Sequence, residues 1–158
     1  MMKNKNIYIL ISFGCVLLLF VFLLLMFCNK KVICTNSSDQ GSNGYVLETK
    51  YVIKANFNKV NTITITENIV SKDKNVLDKF EKQLNDNYSY NKKNYGGYSY
   101  KVTNGDGKVT SNVTINYKKF DMKKFIDDNE AMKKFTKNNK LTLSGAKKMY
   151  ESTGAVCK

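Results

Sequence analysis

Residues 60–70, VNTITITENIV, alternate polar and apolar side chains with a period of two. The alternation separates threonine from isoleucine, with Thr62, Thr64 and Thr66 on one side and Ile63 and Ile65 on the other. Successive side chains of a strand point to opposite faces of the sheet, so this pattern is typical of a half-buried antiparallel strand. The stretch therefore predicts a sheet with one buried face.

The segments on either side extend this strand into a strand–strand–helix unit. Residues 45–56 (YVLETKYVIKAN) predict a preceding strand, and residues 56–58 the turn between the two. Ser71 or Asp73 is expected to cap a helix that extends to about residue 86. The apolar residues of this helix recur at helical spacing on one side, at Val76, Leu77, Phe80 and Leu84.

The remainder of the chain predicts a hairpin and then short helices. Residues 98–103 and 108–117 flank the sequence NGDG at 104–107, which is a strong turn signal. Short helices are expected to begin after Asp121, Asn129 and Thr142, with Gly154 as a stop. These elements predict the α+β class, an antiparallel β-sheet packed on one face by helices in the order β-β-α-β-β-α-α.

An uncharged apolar run, IYILISFGCVLLLFVFLLLMFC, occupies residues 7–28. A helix needs about 20 such residues to cross the hydrocarbon core of a bilayer. The run is longer than the apolar region of a cleaved signal peptide, and Phe27 before Cys28 departs from a lipoprotein signal. We predict an N-terminal transmembrane helix that acts as an uncleaved signal-anchor, with a cleaved or lipidated segment as the alternatives.

These features divide the chain into four predicted parts. Residues 1–6 form a short cytoplasmic N-terminus, and residues 7–28 form the span. Residues 29–44 are a linker with a first short strand, because TNSSDQGSNG at 35–44 consists of turn-forming residues. Residues 45–158 form one extracytoplasmic α+β domain.

Two cysteines, Cys34 and Cys157, bracket the region after the apolar run. A disulfide between them would close a long loop, which stabilises by about 5 kcal/mol in the chain-entropy model, and it would require an oxidising compartment. Two unrelated free thiols are the alternative. Lysines flank the apolar run on both sides, so charge does not orient it. The cysteine pair therefore carries the prediction that the C-terminal domain lies outside the cell membrane.

The chain has a formal net charge of +13, and all of its basic residues are lysines. Such a charge attracts anionic wall polymers or lipid head groups, which we predict as partners beside the membrane itself. Lysine lacks the bidentate geometry with which arginine contacts bases and phosphates, so the sequence gives no specific nucleic-acid signal. Without histidine or a Cys-x-x-Cys pair, it predicts no metal site and no cofactor.

Tyrosines and lysines crowd the region between the long helix and the hairpin. Tyrosine rings beside cationic side chains can stack on sugars or bases, which makes this region a candidate ligand surface. Its members are Tyr88, Tyr90, Lys92, Lys93, Tyr95, Tyr98 and Tyr100. The alternative is core packing, since Tyr98 and Tyr100 share one strand face and can pack on the helix.

Several segments between residues 34 and 158 carry a family resemblance. They are Cys34-Thr35, TITITENIV, the Tyr95-Gly96-Gly97-Tyr98 turn, VTINYKKFDMKKFIDDNEAMKKF and the closing YESTGAVC. In these pieces and their order the chain resembles the YehR-like small lipoproteins and their relatives, which are surface proteins of low-GC Gram-positive bacteria. The resemblance implies an envelope location and a fold, and it implies no reaction. The chain departs from the family in lacking a lipobox.

Together these observations predict a membrane-anchored, extracytoplasmic, bacterial binding or scaffolding protein that is not an enzyme. A serine or cysteine nucleophile would lack its usual base, because the chain has no histidine. One alternative is a membrane-tethered enzyme that uses carboxylates, for which Asp127, Asp128 and Glu130 form the densest acidic group. The other is a cytoplasmic-facing basic domain that binds nucleic acid or acidic partners.

Overall fold

The fold is built on antiparallel strands, described by a computed structural model for residues 29–41 and 44–158. The strands are β1 (Asn29–Gln40), β2 (Tyr45–Asn56), β3 (Lys59–Ser71), β4 (Tyr98–Gly105), β5 (Lys108–Asn116), β6 (Thr136–Lys137), β7 (Lys140–Leu141) and β8 (Val156–Cys157). Six of them form one sheet in the order β4-β5-β3-β2-β1-β8, while β6 and β7 pair as a small hairpin. The alternating residues 60–70 thus lie in a central strand.

The helices begin at side-chain caps that the sequence supplies. They are α1 (Lys74–Tyr95), α2 (Met122–Asp128), a 3-10 helix (Glu130–Phe135) and α3 (Leu143–Glu151). A side-chain oxygen accepts a hydrogen bond from a backbone N–H of the first turn at each α-helix, from Asp73, Asp121 and Thr142 in turn. Such caps satisfy donors that the first turn otherwise leaves unpaired.

Two glycines allow close backbone approaches. Gly97, with φ +72°, lies so close to β5 that a Cβ would sit 2.8 Å from the carbonyl oxygen of Asn116. In α3 a Cβ on Gly145 would sit 1.9 Å from the carbonyl oxygen of Phe135. These contacts bring the start of β4 against the end of β5, and α3 against the end of the 3-10 helix.

One face of the six-stranded sheet carries the core. Ile53 and Ile63 face each other on β2 and β3, Val113 follows on β5, and all three are fully buried. At the other side of the core, the ring of Tyr51 stacks on Tyr150 of α3 with centroids 3.9 Å apart. A smaller cluster joins Ile69, Val109 and Leu77 beneath the first turns of α1. The strand side chains buried in these clusters all point to the same face of the sheet. Among the described residues, no helix packs on the other face.

The predicted fold class and element order are wrong. A six-stranded antiparallel sheet dominates the described residues, which hold few helices, and β1 and β8 join this sheet beyond the four strands of the predicted order. The polar segment assigned to the linker is largely strand, because β1 pairs along its length with β2 and at Cys34 and Thr35 with β8. Turn-forming residues are tolerated there because their side chains lie on partly exposed strands near the sheet edge.

The predicted end of the long helix at about residue 86 is also wrong. Helix α1 continues to Tyr95, and Tyr88 and Tyr95 of the added turns pack against the main core. Tertiary packing therefore outweighs the modest helix propensity of a segment rich in Asn and Tyr.

The predicted transmembrane signal-anchor has no counterpart in the described residues, among which no helix is long and apolar enough to cross a membrane. The run on which the prediction rested, residues 7–28, lies outside the residues that the structure describes.

Candidate functional site

Most of the predicted tyrosine surface lies against the core. Tyr95 is 5% exposed, and its hydroxyl donates to Asp128 Oδ2 at 3.0 Å. Tyr98 packs against Phe120, and Tyr100 packs against Tyr88 with ring centroids 5.6 Å apart. The structure brings these rings together as packing partners.

The exposed members of the predicted surface all lie on α1. The side chain of Tyr90 is 59% exposed, and Lys92 and Lys93 follow on the last turn, also exposed. Ligand binding by these three side chains stays a prediction. The ring of Tyr95 does not contribute a free face, because Phe120, Phe125 and Tyr90 pack around it.

Glu67 is a half-buried carboxylate on the core face of β3 that the sequence analysis did not single out. Its Oε2 accepts hydrogen bonds from the hydroxyl of Tyr88 on α1 and from Ser111 Oγ of β5, the latter at 2.5 Å. Burial and the Glu67 charge raise the pKa of both Tyr88 and Tyr51. This arrangement ties α1 to β3 and β5.

The acidic residues considered for catalysis have separate partners. Asp128 accepts from Tyr95, whereas Glu130 forms an exposed ion pair with Lys133 at 2.8 Å. Among residues 29–41 and 44–158, no group of three or more His, Cys, Asp or Glu side chains could hold a metal ion.

The predicted disulfide between Cys34 and Cys157 is confirmed. The two residues face each other across the β1–β8 pair with Cα atoms 4.0 Å apart. Cys34 is fully buried within the main core, and the backbones of Ile33 and Lys158 exchange hydrogen bonds of 3.0 and 2.8 Å beside the bridge. The bond therefore fastens the last strand to the edge of the sheet.

The second face of the sheet is polar and carries most of its strands' lysines. We call it the open face; its charged members are Lys31, Asp39, Glu48, Lys50, Lys54, Lys101 and Lys108. Thr62, Thr64 and Thr66 of β3 run along its centre, opposite Asn116, Thr114 and Asn112 of β5. Side chains bond across the strands, as in the 3.1 Å hydrogen bond from Thr66 Oγ1 to Asn112 Oδ1.

One row of the open face crosses five strands. Its members are Thr35, Lys50, Thr66, Asn112 and Lys101, in the order in which β1, β2, β3, β5 and β4 pair. Neighbouring strands lie about 4.8 Å apart, which sets Lys50 and Lys101 about 14 Å apart with hydrogen-bonding side chains between them. A trough of about 710 Å³ opens beside this row, lined by residues that include Lys50, Glu48 and Val156.

The lysines of the open face have no carboxylate partner within ion-pair distance. In the described part of the chain, the ion pairs within 4.0 Å join Lys82 to Asp86 and Lys133 to Glu130, both on helices. Glu48 is the nearest acidic neighbour along β2, two residues from Lys50 on the same face. The open face is therefore a net basic surface that can take up anionic groups.

The fold is similar to that of the E. coli YehR protein, whose structure was determined by NMR. The TM-score is 0.53 and the sequence identity 20%, over 82% of this chain and 91% of that chain. At this identity the likeness concerns the fold, and a YehR-like fold agrees with the resemblance seen in the sequence.

A second solved structure, an NMR structure of a protein from Streptococcus pneumoniae, matches with a TM-score of 0.47 and 13% identity over 81% of this chain and 83% of that chain. No protein-family model and no curated protein matches the sequence significantly.

Proposed function

We propose that this protein is a non-enzymatic binding or scaffolding module at the bacterial cell envelope, which binds anionic wall polymers on its open face. The observation that carries the proposal is a six-stranded sheet with one mostly polar, net basic face that no helix of the described residues covers. A long face of this kind suits an extended polymer better than a small molecule, since small ligands favour deep and mostly apolar cavities and the trough on this face is lined mostly by polar residues.

The charges of the open face support an anionic ligand. Lys50 and Lys101 stand at the two ends of the row that Thr66 and Asn112 complete. Phosphate or carboxylate groups spaced along a polymer would meet a cation at either end and hydroxyl or amide donors between them. Because these lysines are exposed, binding should weaken as the salt concentration rises.

The disulfide supports an extracytoplasmic location. Bonds such as Cys34–Cys157 persist in oxidising compartments and are rare in the cytosol. Membership among lipoprotein relatives of low-GC Gram-positive bacteria is part of the same proposal, and it rests on the sequence resemblance.

The separate engagement of the carboxylates supports a role without catalysis. Glu67 is fixed by two hydroxyl donors, and Asp128 and Glu130 each have a partner of their own. Glycoside hydrolysis, the usual two-carboxylate mechanism, requires two such groups on either side of the scissile bond.

Neutralising the open face tests the proposal. The variant Lys50→Gln, Lys54→Gln, Lys101→Gln should bind a glycerol-phosphate wall polymer on the order of tenfold more weakly, since exposed charge contacts contribute about 0.5 kcal/mol each. Titration calorimetry on the full chain at low and high salt would measure the difference.

A matched control removes three exposed lysines from helices, Lys74→Gln, Lys79→Gln and Lys148→Gln, and leaves the open face intact. Equal losses of affinity in both triple variants would show a non-specific charge effect and contradict the proposal. So would unchanged affinity in the open-face variant with its thermal unfolding preserved.

A further inference from the structure

Phe57 is the most exposed large apolar side chain of the described residues. It lies at the tip of the β2–β3 hairpin, where Asn56 pairs with Lys59, and 70% of its surface is open to solvent. Its φ is 53°, in the left-handed region that hairpin tips ordinarily fill with Gly, Asn or Asp. A bulky residue in this region is a genuine outlier.

The tip that carries Phe57 is held in place. The carbonyl oxygen of Asn58 accepts a 2.8 Å hydrogen bond from the backbone N–H of Leu143, and Lys59 forms an isolated bridge with Thr142. Both contacts come from the start of α3. Strained backbone of this kind persists only where surrounding structure fixes it, and such positions concentrate at functional sites.

A basic cleft opens beside the tip. Its volume is about 450 Å³, and four lysines from three separate segments line it, namely Lys59, Lys118, Lys123 and Lys140. The acidic side chain in its lining is that of Asp121, whose Oδ1 accepts the backbone N–H of Lys124 at the start of α2. The cleft therefore presents an excess of positive charge next to an exposed aromatic ring.

The preceding chain reaches the structure at this same end. Asn29, the first residue of β1, pairs with Asn56 one position before Phe57, and Lys30 and Lys31 follow it. The uncharged residues 7–28 are joined directly to Asn29 in the sequence. The start of β1, an exposed ring and a group of lysines thus lie at one end of the sheet.

We propose that this end of the molecule docks on an anionic lipid surface, with the Phe57 ring entering the boundary between head groups and acyl chains and the cleft lysines contacting the head groups. Apolar side chains partition into this boundary, and lysine stems extend so that the ammonium group reaches the phosphates. Attraction to anionic lipids adds to the affinity with each lysine near the surface.

A lipid occupant fits this end better than a polar polymer does. Phenylalanine has no hydroxyl or N–H with which to bond a phosphate, and burying its exposed ring in an apolar phase removes a large apolar surface from water. The ring also projects from the end of the sheet, whereas an extended polymer would need contacts along a face. The Phe57 ring and the cleft lysines are not among the charged members of the open face, and docking through them does not depend on polymer binding.

A single tryptophan tests the proposal, because the natural chain contains none. In the full-length Phe57→Trp variant, vesicles of equal parts phosphatidylglycerol and phosphatidylcholine should shift the tryptophan emission to the blue. Bromine atoms on the lipid acyl chains should quench it. The control Val70→Trp places the probe on an exposed position at the opposite end of β3, about 36 Å away at about 3.3 Å per residue, and should show neither effect.

Charge variants complete the test. In the Phe57→Trp background, Lys59→Gln, Lys118→Gln and Lys140→Gln should reduce the quenching, whereas Lys72→Gln, Lys74→Gln and Lys108→Gln at the far end should not. Absence of quenching at position 57, or equal quenching at position 70, would overturn the proposal. It would also fail if a soluble glycerol-phosphate polymer shifted the emission and the vesicles did not, since this end would then hold a polymer.

Discussion

At the scale of single residues, Phe57 combines exposure with a backbone conformation that is costly for it. An L-residue in the left-handed region loses about 1–2 kcal/mol, and glycine does not. Replacing Phe57 by Gly should therefore raise the free energy of unfolding by about 0.5–1 kcal/mol, after the entropy that glycine adds to the unfolded chain. Urea unfolding of the two proteins measures the change.

Phe57→Ala is the matched control for this variant. It removes the same exposed ring and keeps the backbone penalty, so its stability should stay close to that of the natural protein. A glycine variant no more stable than the alanine variant would mean that the tip conformation carries no strain. If the lipid-docking proposal is correct, the stabilised glycine variant loses its contact with the vesicle surface.

Glu67 and Phe57 differ in how well the sequence predicts their surroundings. Glu67 lies two residues after Ile65 and therefore on the isoleucine side of the strand, so its core-facing carboxylate follows from the same alternation that identified the strand. No sequence pattern predicts the exposure of Phe57, because a single phenylalanine in a turn can equally well be buried in the core. Its fixation depends on Leu143, far away in the sequence.

At the scale of elements, the disulfide determines how firmly β8 is attached. The strand has two residues, and the Cys34–Cys157 bridge spans 123 positions of the sequence. The double variant Cys34→Ala, Cys157→Ala should lower the free energy of unfolding by about 5 kcal/mol, the chain-entropy value for a loop of this size. Chemical denaturation of the purified variant measures the loss.

The alanine variant is preferable to chemical reduction, because the chain contains four cysteines and a reductant acts on all of them. Cys157→Ala alone would leave the buried Cys34 as a free thiol and separates the loss of the bond from the loss of side-chain volume. A denaturation midpoint equal to that of the natural protein would contradict a stabilising role for the bridge.

Elements with strong local patterns were predicted well, and elements that depend on distant partners were not. The β4–β5 hairpin follows from NGDG, and its turn residues Asp106 and Gly107 both have positive φ. Strand β1 was assigned mostly to a linker, since TNSSDQ carries turn-forming side chains and becomes strand only through its partner β2. The two-residue β8 is too short to leave a pattern of its own.

At the scale of the whole molecule, buried tyrosines should make the fold sensitive to alkaline pH. Burial raises the pKa of Tyr98 to about 12, and burial also raises the pKa of Tyr88 and Tyr117. The unfolded chain releases these protons near pH 10, whereas the folded chain retains them longer. The protonated tyrosines therefore make their full contribution to the free energy of unfolding below about pH 10, and this contribution is lost as the pH rises toward and beyond 12.

Urea unfolding at a series of pH values from neutral to strongly alkaline would measure this loss, with Cys15 and Cys28 alkylated so that thiols do not attack the disulfide. Each raised tyrosine should steepen the decline by about 1.4 kcal/mol per pH unit between its two pKa values. Tyr98→Phe removes one such proton and keeps the ring, so its decline should be shallower. A natural protein and variant with identical slopes would show that Tyr98 titrates normally.

The antiparallel sheet with one buried face was readable from side-chain alternation, whereas its width and strand order were not. Strand order depends on which edges meet, and β1 joins the sheet beside β2 and then receives β8 from the end of the chain. The candidate binding surface was missed for the same reason. Lys50 and Lys101 are distant in sequence and share a row only because β2, β3, β5 and β4 pair in that order.

Strand β1 also has a mechanical consequence. All 12 of its residues pair with β2, and the chain enters at Asn29 in line with the strand axis. Tension applied through the preceding segment would therefore pull along the strand and load its hydrogen bonds in parallel, as shear, instead of opening them one by one. The disulfide joins Cys34 of this strand to Cys157 of β8, so β8 cannot separate from β1 under the same load. If the domain were pulled at Asn29 while its open face held a polymer, the force would act parallel to β1, and all of the β1–β2 hydrogen bonds would resist it together.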